Sequence, residues 1–414
     1  MNVRVNEQQD LKPRILAQLG VPPGRINLLL DSAQEAKHIE ALEEPALDIH
    51  APKAIEAGKQ LLRDGKAALL LAAGGSGSRL GFDGPKGCFA IGPQSERTLF
   101  SIHIGKLVYI RKTYGVTPHA YILTSPDNID RIRAAFVAHD YYGLDAEHVH
   151  FFPQGVFPAV DINGNFLWRS ESDLATFPDG TGGVYSALRQ AKLFDHMAKA
   201  GVEVLNYIQV DNPLAPILDP GFLGWHELKS ADYTALAVQR RSATERAGTY
   251  ARINGRMGIV EYTEIDPAIS SSTTAAGELL FPYASPGIFA FRRTYADKVS
   301  EQSLPLHVAF KKIPLFDATL GRLVDPTEPN GYKLERYIFD AFPFAKTGIL
   351  VKGRRESHFA PVKNAVGKDS PEECRLMMIA EYQRWMAAAN RPVAPSDLFE
   401  LDPRDIAGPS DLLK

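Results

Sequence analysis

Cysteine is nearly missing from this chain of 414 residues: only Cys88 and Cys374 occur, far apart and without a CxxC or histidine-rich neighbourhood. That scarcity excludes a disulfide framework and argues against a structural zinc site. Both thiols read as reduced. Cys88 stands beside a cluster of glycines and is a candidate nucleophile, with a small buried thiol as the competing reading. No run of about 18 apolar residues exists, and the opening MNVRVNEQQDLKPR has neither a signal-peptide core nor an acid-free transit pattern. The expectation is a soluble, cytoplasmic protein with no membrane partner. Charge of one sign is also lacking: 46 Lys and Arg against 49 Asp and Glu leave a formal net charge of -3. No global basic field is available for nucleic acid, so any anion site must be local. Internal repeats, heptads and low-complexity tracts are absent.

What is present is ordinary globular material, 45% hydrophobic and 23% charged, in a chain long enough for two or three units or one large α/β core. Residues 1–66 carry helical patterning at Leu28–Ala41 and at Ile55–Arg63, which reads as a helical N-terminal leader. From Ala67 the character changes. Short apolar runs at 67–73, 119–125, 148–154, 202–212, 234–241 and 348–354 alternate with helical patterns such as Gly183–Ala200. This predicts an α/β fold with a mixed sheet flanked by helices. Asn254-Gly255 between two strand-like runs predicts a hairpin. Ser370 and Pro371 predict the start of a helix over 370–390, and prolines and acids beyond Asn390 predict a loosely folded tail. The division expected is a leader at 1–66, a catalytic region at 67–347 and a small C-terminal region at 348–414.

The stretch ALLLAAGGSGSRLGFDGPKG (68–87) is the richest in chemistry. It fails as a P-loop, because Pro85-Lys86-Gly87 stands where Gly-Lys-Ser/Thr is required. It is weak as a dinucleotide fingerprint, because the third glycine falls on Leu80. Glycines still let backbone amides approach a phosphate, while Arg79 offers a planar fork and Lys86 a point charge. A plain glycine turn with two solvated cations is the rival reading.

The whole pattern GSGSRLGFDGPKG resembles the nucleotide-binding signature GxG(T/S)RLGxxxPKG of the eukaryotic-type UDP-sugar pyrophosphorylases, especially the UDP-N-acetylhexosamine pyrophosphorylases. Further segments follow in the family's order: FFPQGVFPAV (151–160), PDGTGGVYSAL (178–188), NYIQVDNPLAPILDP (206–220), GIVEYTEI (258–265), LPLHVAFKKIP (304–314), KLERYIFDAF (333–342) and FAPVKNA (359–365). The resemblance implies a Rossmann-like, glycosyltransferase A-like fold for nucleotide-diphospho-sugar transfer. It also implies a uridylyltransferase that joins UTP and a sugar 1-phosphate into UDP-sugar and pyrophosphate, with Mg²⁺ as cofactor. Gly75, Gly77, Ser78, Gln154 and Gly180 inherit nucleotide roles; Arg79, Lys86 and Lys363 inherit phosphate and catalytic roles; Asp211 inherits the metal. Thr181, Gly248, Glu261 and Tyr262 inherit the sugar, where an acceptor-only carboxylate suits hydroxyl groups.

Two departures fall on the sugar side. Relatives carry asparagine where Thr181 stands, and Pro286 or Gly287 replaces an asparagine of theirs in YASPGIFAF (283–291). Losing two amides bears on which sugar is accepted. An N-acetylhexosamine 1-phosphate is the favoured substrate, with UDP-glucose, UDP-galactose or broad UDP-sugar synthesis as alternatives and a noncatalytic UDP-sugar sensor further off. A glycosyltransferase is the rival enzyme, although the strand end reads VDN rather than a DxD pair.

Overall fold

The computed structural model describes residues 38–43, 46–394 and 399–413. Most of the helical pattern at 28–41 lies outside them, and its end, Ile39–Glu40, is a short strand. The described chain groups into two compact units, both discontinuous: 154–186 with 301–341, and 39–153 with 187–300 and 342–414.

The larger unit begins with helix α1 (Pro52–Arg63), which has Pro52 in its first turn, where a missing N–H costs nothing. Next come strand β1 (Ala67–Ala72), helix α2 (Leu99–Tyr114), β2 (Ala120–Thr124), α3 (Ile129–Ala138) and β3 (Val149–Pro153). After them run β4 (Val204–Gln209), α4 (Pro220–Leu228), β5 (Tyr233–Gln239), β6 (Thr249–Ile253), β7 (Arg256–Val260), β8 (Tyr283–Ala284), β9 (Phe289–Arg292), β10 (Gly348–Lys352) and α5 (Pro371–Ala388). Strands β1, β2, β4 and β5 are apolar almost throughout and buried on both faces, as parallel strands covered by helices require.

Among the described residues the main sheet has twelve strands, running β6-β8-β5-β9-β4-β1-β2-β3, with β7 beside β6, β10 beside β5, and the two-residue strands Ile39–Glu40 and Leu47–Asp48 beside β6 and β10. Strands β4, β1, β2 and β3 are mutually parallel, and β9 is antiparallel between β4 and β5. Because β1 leads outward to β2 and β3 on one side while β4 lies on its other side, the order reverses between β1 and β4. In open α/β sheets the crevice beyond the carboxyl ends of such a pair is where ligands bind.

Asn254 and Gly255 take left-handed φ values of 49° and 80° and close the β6–β7 hairpin as expected. Two expectations are corrected. The pattern at 183–200 is two helices, Gly183–Gln190 and Leu193–Lys199, broken at Lys192 with φ 55°. The tail is anchored rather than loose. Arg97 pairs with Glu400 and Asp402, both at 2.7 Å, and the Tyr109 hydroxyl donates to Asp411.

The smaller unit contains an antiparallel sheet of His307–Lys311, Gly331–Glu335 and Val160–Asp161 over Phe157, Val160, Phe166 and Leu334.

Candidate active site

Beyond the carboxyl end of β1 the glycine loop folds back on itself. Gly77 N–H donates to Gly84 O at 2.8 Å and Lys86 N–H to Gly75 O at 2.9 Å, so 75–77 and 84–86 run antiparallel as a clasp. Phe82 fills the clasp. A Cβ on Gly77 or on Gly84 would come within 2.6 Å of its ring, whereas one on Gly75 would meet nothing within 4 Å. The glycines therefore divide: Gly77 and Gly84 are required by packing, and Gly75 lies against open space. Ser78 and Arg79 are exposed on a short 3₁₀ turn, Ser78–Leu80. A cavity of about 320 Å³ borders the loop at Ser76, Ser78 and Gly81, with Asn128 and Arg131 on its other side. Cys88, half-buried, has its thiol pKa raised by burial, which favours the reading as a packed thiol over a nucleophile.

The turn that follows β4 meets this loop. Lys86 Nζ lies 3.6 Å from Asp211 Oδ2 and donates to Val362 O at 3.3 Å; the two charged side chains are only 15% and 14% exposed. Lys363 follows on the same segment, exposed, with Nζ 6.0 Å from the Phe359 ring centre. Lys86, Asp211 and the main chain at Val362, far apart in sequence, thus meet where the strand order reverses.

Residues that the sequence reading passed over hold this cluster in place. Asn212, 2% exposed, donates Nδ2 to His358 O at 2.8 Å and accepts Ala360 N–H on Oδ1 at 3.0 Å. Cys374 on α5 donates its thiol to Ala360 O at 3.1 Å. From below, α2 presents His103, with Nε2 2.8 Å from Val210 O, and Lys106, whose Nζ donates to Pro213 O at 2.6 Å and Ala215 O at 2.8 Å. Burial pushes the Lys106 pKa down to about 7 and the His103 pKa down to about 3, Lys106 adding to the latter. The backbone around Asp211 is consequently fixed on two sides. The only sequence signal was an amide after the aspartate in VDN, since its partners lie near residue 360.

Of the expected sugar residues, Gly248, Glu261 and Tyr262 sit at the base of the β6–β7 hairpin, whereas Thr181 belongs to the smaller unit. A Cβ on Gly248 would lie 2.7 Å from Ile259 Cγ2 and 3.4 Å from Glu261 Oε1, so Gly248 and Glu261 are neighbours. Tyr262 is 47% exposed. The segment at Pro286 is tied to the same hairpin: Ser285 N–H donates to Gly248 O at 2.9 Å, and the Tyr250 hydroxyl lies 3.2 Å from Ser285 Oγ. Gly287 has φ 72° and lies over Gln209, whose Nε2 would be 2.9 Å from a Cβ there. A side chain at 287 is therefore strained as well as crowded.

Gln154, Gly180 and Thr181 belong to the smaller unit. Gln154 is half-buried and directly follows β3 in the chain. Gly180 has φ 88°, and a Cβ there would fall 2.3 Å from Arg336 O, so backbone packing demands glycine. Thr181 Oγ1 accepts Ile338 N–H at 3.0 Å, and the Tyr185 hydroxyl donates to Ile338 O at 3.1 Å, locking YIFD onto the PDGTGG turn. Beside them the buried Asp179 carboxyl is pushed up to about 6 by burial, with Arg336 opposing.

A basic glycine clasp and a strand-end aspartate stand at the reversal point of an open α/β sheet, where such proteins bind ligands, and the structural neighbours give this α/β protein a nucleotidyltransferase fold. Residues 30–393 match the family described as UTP–glucose-1-phosphate uridylyltransferase, and the chain belongs to that family. It is 35% identical over 351 residues to UDP-N-acetylglucosamine diphosphorylase 2 of Arabidopsis thaliana, covering 80% of this chain and 68% of that one. The Saccharomyces cerevisiae UDP-N-acetylglucosamine pyrophosphorylase is 35% identical over 356 residues, covering 83% and 74%. In structure the chain is similar to the uridine diphosphate N-acetylglucosamine pyrophosphorylase of Trypanosoma brucei, solved with an inhibitor. There the TM-score is 0.81 at 26% identity, covering 93% of this chain and 84% of that one. The family expected from the motif series is the one found.

Proposed function

We propose that the chain is a UTP:N-acetylhexosamine-1-phosphate uridylyltransferase, acting in the cytoplasm. The observation that carries this reading is the meeting of Lys86, Asp211 and the Lys363 segment at the reversal point of the sheet. The names of its relatives favour an N-acetylhexosamine as the sugar.

The sugar phosphate is already an anionic nucleophile and pyrophosphate a tolerable leaving group, so alignment and charge neutralisation dominate the catalysis. One phosphate oxygen of the sugar phosphate bonds to the α-phosphorus of UTP as the bond to the bridging oxygen breaks on the opposite side, releasing pyrophosphate. Lys86 and Arg79 neutralise the triphosphate, and Lys363 takes up phosphate charge. Gly75 leaves room for the nucleotide against the main chain, Gly77 and Ser78 shape the loop, and Gln154 and Gly180 carry the uracil-side assignments. Glu261, Tyr262 and Gly248 carry the sugar.

A magnesium ion suits Asp211. Among the described residues no group of three or more His, Cys, Asp and Glu side chains could hold a metal. An ion here would take one carboxylate from Asp211 and its remaining oxygens from phosphates and water, which is the habit of Mg²⁺ at nucleotide sites. When bound it would neutralise phosphate charge beside the reacting centre.

The test is pyrophosphate release from UTP and Mg²⁺ with the 1-phosphates of N-acetylglucosamine, N-acetylgalactosamine, glucose and galactose. Fastest release with an N-acetylhexosamine is expected. Faster release with glucose 1-phosphate would move the substrate to UDP-glucose, the alternative that Thr181 and the Pro286–Gly287 segment raise. Lys86→Ala and Asp211→Ala are each expected to slow turnover by about 100-fold or more with the fold intact. Undiminished turnover in both would sink the mechanism.

A further inference from the structure

The opposite edge of the main sheet from Asp211 carries a second cavity, of about 850 Å³, where β5 and β10 begin. Its floor is apolar. Tyr233 and Phe342 stack there with ring centres 3.8 Å apart, joined by Leu47 and Leu350. Its charged lining is Lys229, Arg252, Arg256 and Lys346, and no carboxylate among the described residues lines it. The chain as a whole has more acids than bases, 49 against 46, so composition does not account for charges of one sign among the described lining residues.

The cations are partly preorganised. Arg252 donates to Gly255 O at 3.0 Å, and Arg256 donates to Pro343 O, so both guanidinium groups are held by main chain. Lys229 and Lys346 are exposed. A concave volume of this size lies within the range of small-molecule sites, about 300–1,000 Å³. Nothing in the proposed reaction uses it.

We propose that this cavity is a second ligand site that takes an organic anion: a flat or aliphatic body against the aromatic floor, and a phosphate, sulfonate or carboxylate group among the four cations. The β6–β7 hairpin is common to both places. Its tip supplies Arg252 and Arg256, and its base carries Gly248 and Glu261.

The probe that tests this is anilinonaphthalene sulfonate, an aryl sulfonate, titrated by fluorescence into the full chain with and without saturating UTP. One saturable binding event is expected, retained in UTP. The Lys229→Glu/Lys346→Glu double variant should weaken it roughly ten-fold or more, because both substitutions reverse charge at the rim. Both side chains are exposed, so circular dichroism and UTP binding should match the parent chain. The neutral Lys229→Gln/Lys346→Gln variant should fall between the two. Displacement of the probe by UTP, no saturable binding, or equal binding by parent and charge-reversed chains would each overturn the proposal.

Discussion

Asn212 shows how much of a site can rest on a residue whose side chain is spent on the main chain. Its amide grips the main chain on both sides of Phe359, at His358 O and Ala360 N–H, and so sets where Val362 and Lys363 stand relative to Lys86 and Asp211. Removing the amide leaves the glycine clasp untouched but frees the segment opposite it. Misplacing one charged group by about 1 Å costs roughly 100-fold in rate. Asn212→Ala is therefore expected to lower kcat by about that factor while KM for UTP changes only a few-fold, read by steady-state kinetics. Asn212→Asp keeps the acceptor for Ala360 but sets a carboxylate oxygen against the His358 carbonyl, so it should do no better than alanine. A parental kcat in both variants would show that the clamp is dispensable. Asp211 could be singled out from VDN in the sequence, but Asn212 could not. A strand-end aspartate carries its chemistry in its own side chain, whereas the asparagine acquires meaning only from partners about 150 residues away.

At the level of elements, α1 and α4 pack main chain to main chain. A Cβ on Gly58 would fall 1.8 Å from Pro220 O, and one on Gly224 would fall 1.6 Å from Ala54 O. No rotamer relieves a clash between a Cβ and a backbone oxygen, so the helices must move apart and give up contacts around Ala54, Leu61 and Leu62. Gly224→Val is expected to destabilise the chain by about 2 kcal/mol or more, seen as a lower urea midpoint. A midpoint within error of the parent would mean that the interface is loosely packed. Elements with a strong local cause were legible beforehand. The buried strands announce themselves as unbroken apolar runs, the hairpin by Asn254-Gly255, and α5 by Ser370, whose Oγ accepts Glu373 N–H. Two features escaped, one for a local and one for a distant cause. Lys192 breaks an otherwise continuous helical pattern by adopting φ 55°, and the tail beyond Asn390 looks loose until Arg97 supplies partners for Glu400 and Asp402.

The whole molecule carries an imbalance of buried titratable groups that sets its response to acid. Burial lowers the pKa of His103 and His226 to about 3. His119 is lowered to about 4 by burial and by His148 and His196, and His150 to about 4 by burial and by His196, His119 and His148. Their ring centres lie 4.3 to 5.4 Å apart for the pairs His150–His196, His119–His148, His119–His150 and His119–His196. An unfolded histidine titrates near 6.5, so from about pH 6.5 downward the unfolded chain binds more protons than the folded one, and stability falls with pH. Asp179 acts in the other direction: its carboxyl is raised to about 6, so the folded chain holds that proton longer and gains stability as pH drops from about 6 towards 4. Asp219 is raised too, but it sits against His358, whose pKa is lowered, so those two offset. Four imidazoles against one carboxyl decide the sign. The thermal midpoint is expected to fall by roughly 5 °C or more between pH 7 and pH 5. His119→Gln/His150→Gln should flatten that fall, and Asp179→Asn should steepen it. A midpoint that rises on acidification would show that the carboxyls outweigh the histidines, and a double variant with the parent's slope would show that the cluster is already relieved by solvent.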